Sequence, residues 1–273
     1  MNLVLVHGVL GFREKFGVEY FNKIKERLSR FTPYILIPQL DQTGTIRVCG
    51  EQLREAILGA FASGMLEPGA TTHIIGHSQG GLNARFMLSP GNSSSKDLAG
   101  KITSLTTISS PHQGSPIADL LTLKPLDREF GGLELLIHHP DLGQDIVGAM
   151  LARLGISISA LTDLGTEAMK KFNVDYPDNP DVRYFSVAGA GRTEFPPTSL
   201  FLLEFYHHIK SLTGEDNDGL VTVSSARRWP EGAVIWPADH ADEIGHDLNN
   251  LELKPFPGFD YLSAWEAIVD TVS

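Results

Sequence analysis

Thr72 to Ile75 reads as a buried strand and Leu82 to Leu88 as a helix, and little more than Gly76-His77-Ser78-Gln79-Gly80 separates them. A strand that feeds a helix through so short a link must turn sharply. A glycine on each side of the turn removes the Cβ atoms that would clash there. The serine between them then stands clear of the strand end, in front of a helix N-terminus that favours developing negative charge. As a bare pattern, G-x-S-x-G describes only a glycine-rich helix cap. Its place between a strand and a helix is what makes Ser78 a candidate nucleophile.

The rest of the chain repeats the same alternation. Leu3-Val4-Leu5-Val6 is a continuous apolar run, Tyr20 to Leu28 has apolar residues at helical spacing, and Tyr34 to Ile37 is a second strand stopped by Pro38. Gly50 to Phe61 returns to helix, and Cys49 falls before it as a small core filler. Ile102 to Ile108, Val182 to Ala188 and Ala233 to Trp236 supply three more strands. Apolar strands that alternate with helices predict an α/β fold, with a mostly parallel sheet covered on both faces. The 273 residues are compatible with one domain over 1–273. The segment from about 120 to 163 breaks the rhythm: it is apolar, carries glycines at 131, 132, 143 and 155, and is expected to be a helical lid or cap insertion.

Composition excludes several classes of function. The formal net charge of -11 repels phosphate backbones, which argues against nucleic-acid binding. It also leaves any contact with a lipid surface to apolar residues. No run of about 18 apolar residues is present, so no transmembrane helix is expected. The lone cysteine allows no intrachain disulfide, and no signal-peptide pattern is read before Leu3, which leaves a chain without a cleavable signal, and so a cytoplasmic place, and a chain whose signal is absent from this sequence both open.

An acyl-transfer site also needs a base, an acid that orients it, and donors for the oxyanion. Behind a nucleophile turn of this kind the acid and the histidine follow in that order. Asn217-Asp218-Gly219 puts Asp218 in a turn before an apolar run, and His240 lies just past the last strand. Spacing leaves His246 open as the base, and Asp216 and Asp239 open as the acid. The backbone N–H of Gln79, after the nucleophile, and that of Val9, in the loop after the first strand, are the expected oxyanion donors. His7 is read as a structural hydrogen-bonding residue. The adjacent pairs His138-His139 and His207-His208 are not expected to bind zinc, and nothing in the chain suggests an organic cofactor.

These segments together resemble the bacterial triacylglycerol lipases of the Pseudomonas, Burkholderia and Proteus kind, over nearly the whole length. The matching stretches are Val6-His7-Gly8 with residues 16–21, Gly76 to Gly81 with Ala84-Arg85, Ser110-Pro111-His112-Gln113-Gly114-Ser115 with Ala118-Asp119, Tyr184-Phe185-Ser186, Asn217 to Val221, and His240 to Ile244. The resemblance implies an α/β-hydrolase fold and hydrolysis of acylglycerol esters, with a lipid or ester substrate met at an oil–water interface under a lid. It favours Asp218 and His240, and makes His112 structural. It also implies secretion, and a structural calcium near the base for which Asp242 is one ligand. Pro196-Pro197 stands where the second aspartate falls in that family, and His246 where a glutamine falls. The absent disulfide is shared with the Proteus-type members. A carboxylesterase for short soluble esters is the alternative activity, and a noncatalytic binding module on the same fold the remoter one.

Overall fold

The computed structural model describes residues 1–9, 19–122, 158–191, 198–246 and 258–273. Six parallel strands form one sheet in the order β2-β1-β3-β4-β5-β6. They are β1 (Asn2–Val6), β2 (Ile35–Leu36), β3 (Thr72–His77), β4 (Ser104–Ile108), β5 (Arg183–Gly189) and β6 (Val234–Trp236). The helices are α1 (Ile24–Leu28), α2 (Ile46–Ser63), α3 (Gln79–Leu88), α4 (Pro116–Thr122), α5 (Ile158–Asp163), α6 (Thr166–Asp175), α7 (Leu200–Thr213), α8 (Val223–Ala226) and α9 (Tyr261–Val272). This is the expected alternation, and the fold is that of an α/β hydrolase.

Both faces of the sheet are buried, as the apolar run Leu3 to Val6 of β1 requires. Leu3 and Leu5 point to one face, where Ile24 and Leu28 of α1 and Trp265 and Val269 of α9 meet them. Val4 and Val6 point to the other, against Leu53 and Ile57 of α2 and Ala84 and Met87 of α3. Each fully buried aliphatic or aromatic side chain of this kind stabilises the fold by ~1.5–3 kcal/mol. The parallel register sets Val6 beside Gly76 and His77 beside Ile108, so β1, β3 and β4 end level with one another at the edge where Ser78 emerges.

Several boundaries differ from the sequence reading. The helix expected from Tyr20 begins only at Ile24, after Lys23 takes a left-handed φ of 55°. Tyr20 is instead drawn into a buried hydrogen bond, and Phe21 packs edge-on against Trp265. The helix expected from Gly50 starts a turn earlier, where Thr45 accepts a capping bond from the Val48 N–H, so Cys49 lies inside α2 rather than before it. The proposed lid falls mostly on residues 123–157, outside the described residues, as do residues 10–18, the Pro196-Pro197 pair and His138-His139. No helix among the described residues is long and apolar enough to cross a membrane.

His7, His73, His112 and His246 are all buried, and burial is the main reason that each ring is held below its usual range, His73 at about 4. Unfolding releases each to an ordinary value of about 6.5, so the unfolded chain takes up protons first as pH falls. The stability these neutral rings confer is present above pH ~6.5 and is lost towards pH ~4, by ~1.4 kcal/mol per pH unit for each extra proton the unfolded chain binds. His77, also held well down by burial, makes a fifth such ring, and Asp239 and Glu243, both raised by burial, work in the opposite direction as two groups against five. The melting temperature is therefore expected to hold near neutrality and to fall steadily below pH ~6.5. Thermal unfolding across a pH series checks this; a melting temperature constant down to pH ~5 would refute it.

Candidate active site

Ser78 occupies the turn between β3 and α3 with φ 56° and ψ −132°. A non-glycine residue held in such backbone costs about 1–3 kcal/mol, and persists only where its surroundings enforce it. Here they do. The Ser78 N–H donates to the Ile108 carbonyl at 2.8 Å, and the Ser78 carbonyl accepts from Ser110 Oγ at 2.6 Å and from the Gly81 N–H at 3.2 Å. The flanking glycines are needed for close approach: a Cβ on Gly80 would stand 2.2 Å from the Val6 carbonyl oxygen, and one on Gly76 2.6 Å from the Gly81 nitrogen.

Gly8 brings the loop after β1 directly over this serine. A Cβ there would lie 2.6 Å from Ser78 Cβ and 3.1 Å from its Oγ. Val9 follows at once, and Gln79 is the first residue of α3, whose N–H has no partner within the helix. The two expected oxyanion donors thus belong to the two segments that meet at Ser78. His7 is structural, as expected: its Nε2 accepts from the Leu40 N–H at 3.2 Å, which leaves Nδ1 to donate to the Gly8 carbonyl at 2.9 Å.

Asp218 is fully buried and spends one oxygen on its own turn, Oδ1 accepting from the N–H groups of Leu220 and Val221 at 2.8 and 2.7 Å. Its Oδ2 accepts from His240 Nδ1 at 2.7 Å, and its carbonyl accepts from the His240 N–H at 3.0 Å. The imidazole is thus fixed at one nitrogen, and its ring lies 4.5 Å from that of His77, the neighbour of Ser78. The competing residues are engaged elsewhere. Asp216 pairs with Lys210 at 2.7 Å, and Asp239 caps backbone amides. His246, expected within a helix, lies beyond a short 3₁₀ turn and points its Nε2 at the carbonyls of Glu19 and Tyr20.

A second buried acid was not anticipated. Glu243 Oε2 meets His77 Nε2 at 3.0 Å, Ser109 Oγ donates to Oε1 at 2.5 Å, and the Gly189 N–H donates to that Oγ at 3.0 Å. On the far side, His77 Nδ1 meets Tyr20 Oη at 2.7 Å, and Tyr20 accepts from the Gly8 N–H at 3.0 Å. One continuous buried chain therefore links the loop before Val9, the residue before Ser78, the end of β4 and the loop after His240. Burial pushes the Glu243 carboxyl well up, helped by the nearby Asp218 carboxylate, and burial pushes His77 well down. Both directions favour a neutral pair, with Glu243 as the acid that donates to His77. His77, His240 and Glu243 also bring ligand-type atoms within 4.8 Å of one another. The His77–Glu243 and Asp218–His240 hydrogen bonds make them members of two pairs instead. Nothing in the local sequence marks Glu243; its partner is 166 residues away.

His112 is structural, as the resemblance implies. Its ring meets Arg85 Nη1 at 3.2 Å and Thr107 Oγ1 at 3.0 Å, beneath α3. Asp242 Oδ2 accepts from the Asp239 N–H at 3.2 Å, and Asp242 joins no cluster of three ligand-type side chains among the described residues.

The sheet is that of an α/β hydrolase, and at one edge it carries a strained serine turn with a histidine bonded to a buried aspartate near it. No family model matches the chain. It is 30% identical over 271 residues to a triacylglycerol lipase of Vibrio cholerae, covering 89% of this chain and 78% of that protein. It is 29% identical over 281 residues to a triacylglycerol lipase of Pseudomonas fragi, covering 89% and 87%. Among solved structures, the mature lipase BlEst2 of Bacillus licheniformis superposes with a TM-score of 0.68 at 19% identity, covering 100% of this chain and 91% of that one. A metagenomic carboxyl esterase superposes with a TM-score of 0.70 at 20% identity, covering 99% and 76%. The chain belongs to the triacylglycerol lipase family and is an ester hydrolase.

Proposed function

We propose that the chain hydrolyses the carboxylic esters of acylglycerols through an acyl-enzyme, with Ser78 as nucleophile, His240 as general base and Asp218 as its orienting acid. His240 Nε2 takes the Ser78 proton as Oγ attacks the ester carbonyl. The N–H groups of Val9 and Gln79 hold the oxyanion, each worth ~3 kcal/mol in the transition state. His240 then protonates the departing alcohol, and a water activated by the same ring releases the fatty acid. The observation that carries this reading is the 2.7 Å bond from His240 Nδ1 to a fully buried Asp218. It fixes the tautomer whose Nε2 is free to accept a proton. Apolar residues flank the machinery: Leu220 and Ala241, close in sequence to the acid and the base, pack against the cluster that includes Ile117 of α4, and Val9 packs against the cluster that includes Leu82 and Phe86.

Hydrolysis of p-nitrophenyl esters from acetate to palmitate tests the substrate class. Activity that extends to the long chains, and rises as substrate passes its solubility limit, is the expected result. Activity confined to acetate and butyrate would make the chain a short-ester carboxylesterase and the segment around 120–163 a fixed cap. The structural calcium that the family resemblance implies is not part of this reading, which uses only Ser78, His240, Asp218 and the two oxyanion donors.

A further inference from the structure

We infer that Asp239 is a positioning residue that holds the His240 loop by hydrogen bonds alone, where the family resemblance implies calcium. Asp239 immediately precedes His240 and is 1% exposed. Its Oδ1 accepts from the N–H groups of Ala241 and Asp242, both at 2.9 Å, which winds the loop around His240. Its Oδ2 accepts from the N–H of Ser199 at 2.8 Å, the residue that opens α7. One carboxylate thus ties two segments that are 40 residues apart in the chain.

A calcium ion in this place would need six to eight oxygen ligands turned towards it. The oxygens of this loop are turned onto amides instead. Asp242 Oδ2 accepts from the Asp239 N–H at 3.2 Å, which completes a reciprocal pair. The carbonyl of Asp239 accepts from Glu243 N–H, that of Ala241 from the N–H groups of Ile244 and His246, and that of Asp242 from Gly245 N–H. Each of these oxygens is held in the direction of its own amide, whereas a cation would need several of them turned towards one point. With the His240 N–H on the Asp218 carbonyl at 3.0 Å, the base is braced from the acid on one side and from α7 on the other.

That the clamp serves catalysis rests on the proposed role of His240; that it replaces calcium does not. The full-length chain should therefore be compared in EGTA and in excess calcium, by melting temperature and by kcat and KM on p-nitrophenyl butyrate. The melting temperature and kcat of the wild type are expected to be the same in both. Asp239→Ala is expected to lower kcat about a hundredfold with KM little changed, well below its own melting temperature. Calcium should restore none of that loss. Asp239→Asn, which keeps the Oδ1 acceptor, should recover part of it. Ser199→Pro is the milder variant should Asp239→Ala not fold. It removes the N–H together with the Ser199 hydroxyl and leaves the carboxylate in place, at a residue whose φ of −50° proline accepts, and should also lower kcat. A wild-type melting temperature that drops by several degrees in EGTA and returns with calcium would overturn the replacement. A wild-type kcat in Asp239→Ala, or in Ser199→Pro should the first not fold, would overturn the positioning role. A wild type inactive on every ester would instead count against the proposed function, and the melting comparison would still decide the clamp.

Discussion

Ser78→Ala is expected to lower kcat about a millionfold, to the level left by binding and the oxyanion donors alone, and His240→Ala by a similar factor. The two losses should not add in the double variant, because nucleophile and base act as one unit. The fold has no reason to follow the activity down. The bonds that hold the elbow run through the Ser78 backbone, from its N–H to Ile108 and from its carbonyl to Ser110 Oγ, and alanine keeps both. Thermal unfolding of Ser78→Ala should give a melting temperature no lower than that of the wild type. Activity in Ser78→Ala within tenfold of wild type would remove the acyl-enzyme mechanism altogether.

Asp218→Asn is expected to cost about ten-thousandfold in kcat, although the substitution changes one atom by little in size. The reason lies in how the two carboxylate oxygens are used. Oδ1 is committed to two backbone N–H donors, so an asparagine must place its carbonyl oxygen there and its NH2 group where Oδ2 stood. That NH2 then faces His240 Nδ1, which can only accept. The ring is driven to the tautomer protonated on Nε2 and cannot take the Ser78 proton. Glu243 offers no ready substitute, since its two oxygens are engaged by His77 and Ser109. Asp216→Asn is the matched control: its carboxylate serves Lys210 at the surface, and kcat should remain within about twofold of wild type. Single-turnover acylation with a chromogenic ester separates the two variants.

The sequence was most informative where chemistry imposes local structure. A serine between a strand and a helix, with glycines on either side, can be read from seventeen residues, because the turn admits few other solutions. The strands were legible for a related reason: a parallel sheet buried on both faces favours apolar and β-branched residues at successive positions, as in Leu3 to Val6. Asp218 and His240 emerged from order and spacing, with rivals that spacing could not dismiss. In the structure those rivals have other partners. Asp216 found a lysine, Asp239 an amide on α7, and His246 two carbonyls before α1. The helix misjudged at Tyr20 is a case of tertiary override, since the tyrosine hydroxyl is claimed by His77 and Gly8 before helical geometry can form. Glu243 was invisible in principle. Its environment is made of residues from β3, β4 and the base loop, and no window of sequence contains them together.

Reaction of the purified chain with a fluorophosphonate ester, followed by peptide mass spectrometry, tests the central assignment most directly. The probe phosphonylates a serine only where a base activates its hydroxyl and donors stabilise the oxyanion. A single adduct per chain, on the peptide that carries Ser78, lost in His240→Ala and slowed severely in Asp218→Asn, is the predicted result. An ester hydrolase fully active yet unlabelled at Ser78, or labelled equally well without His240, would contradict it.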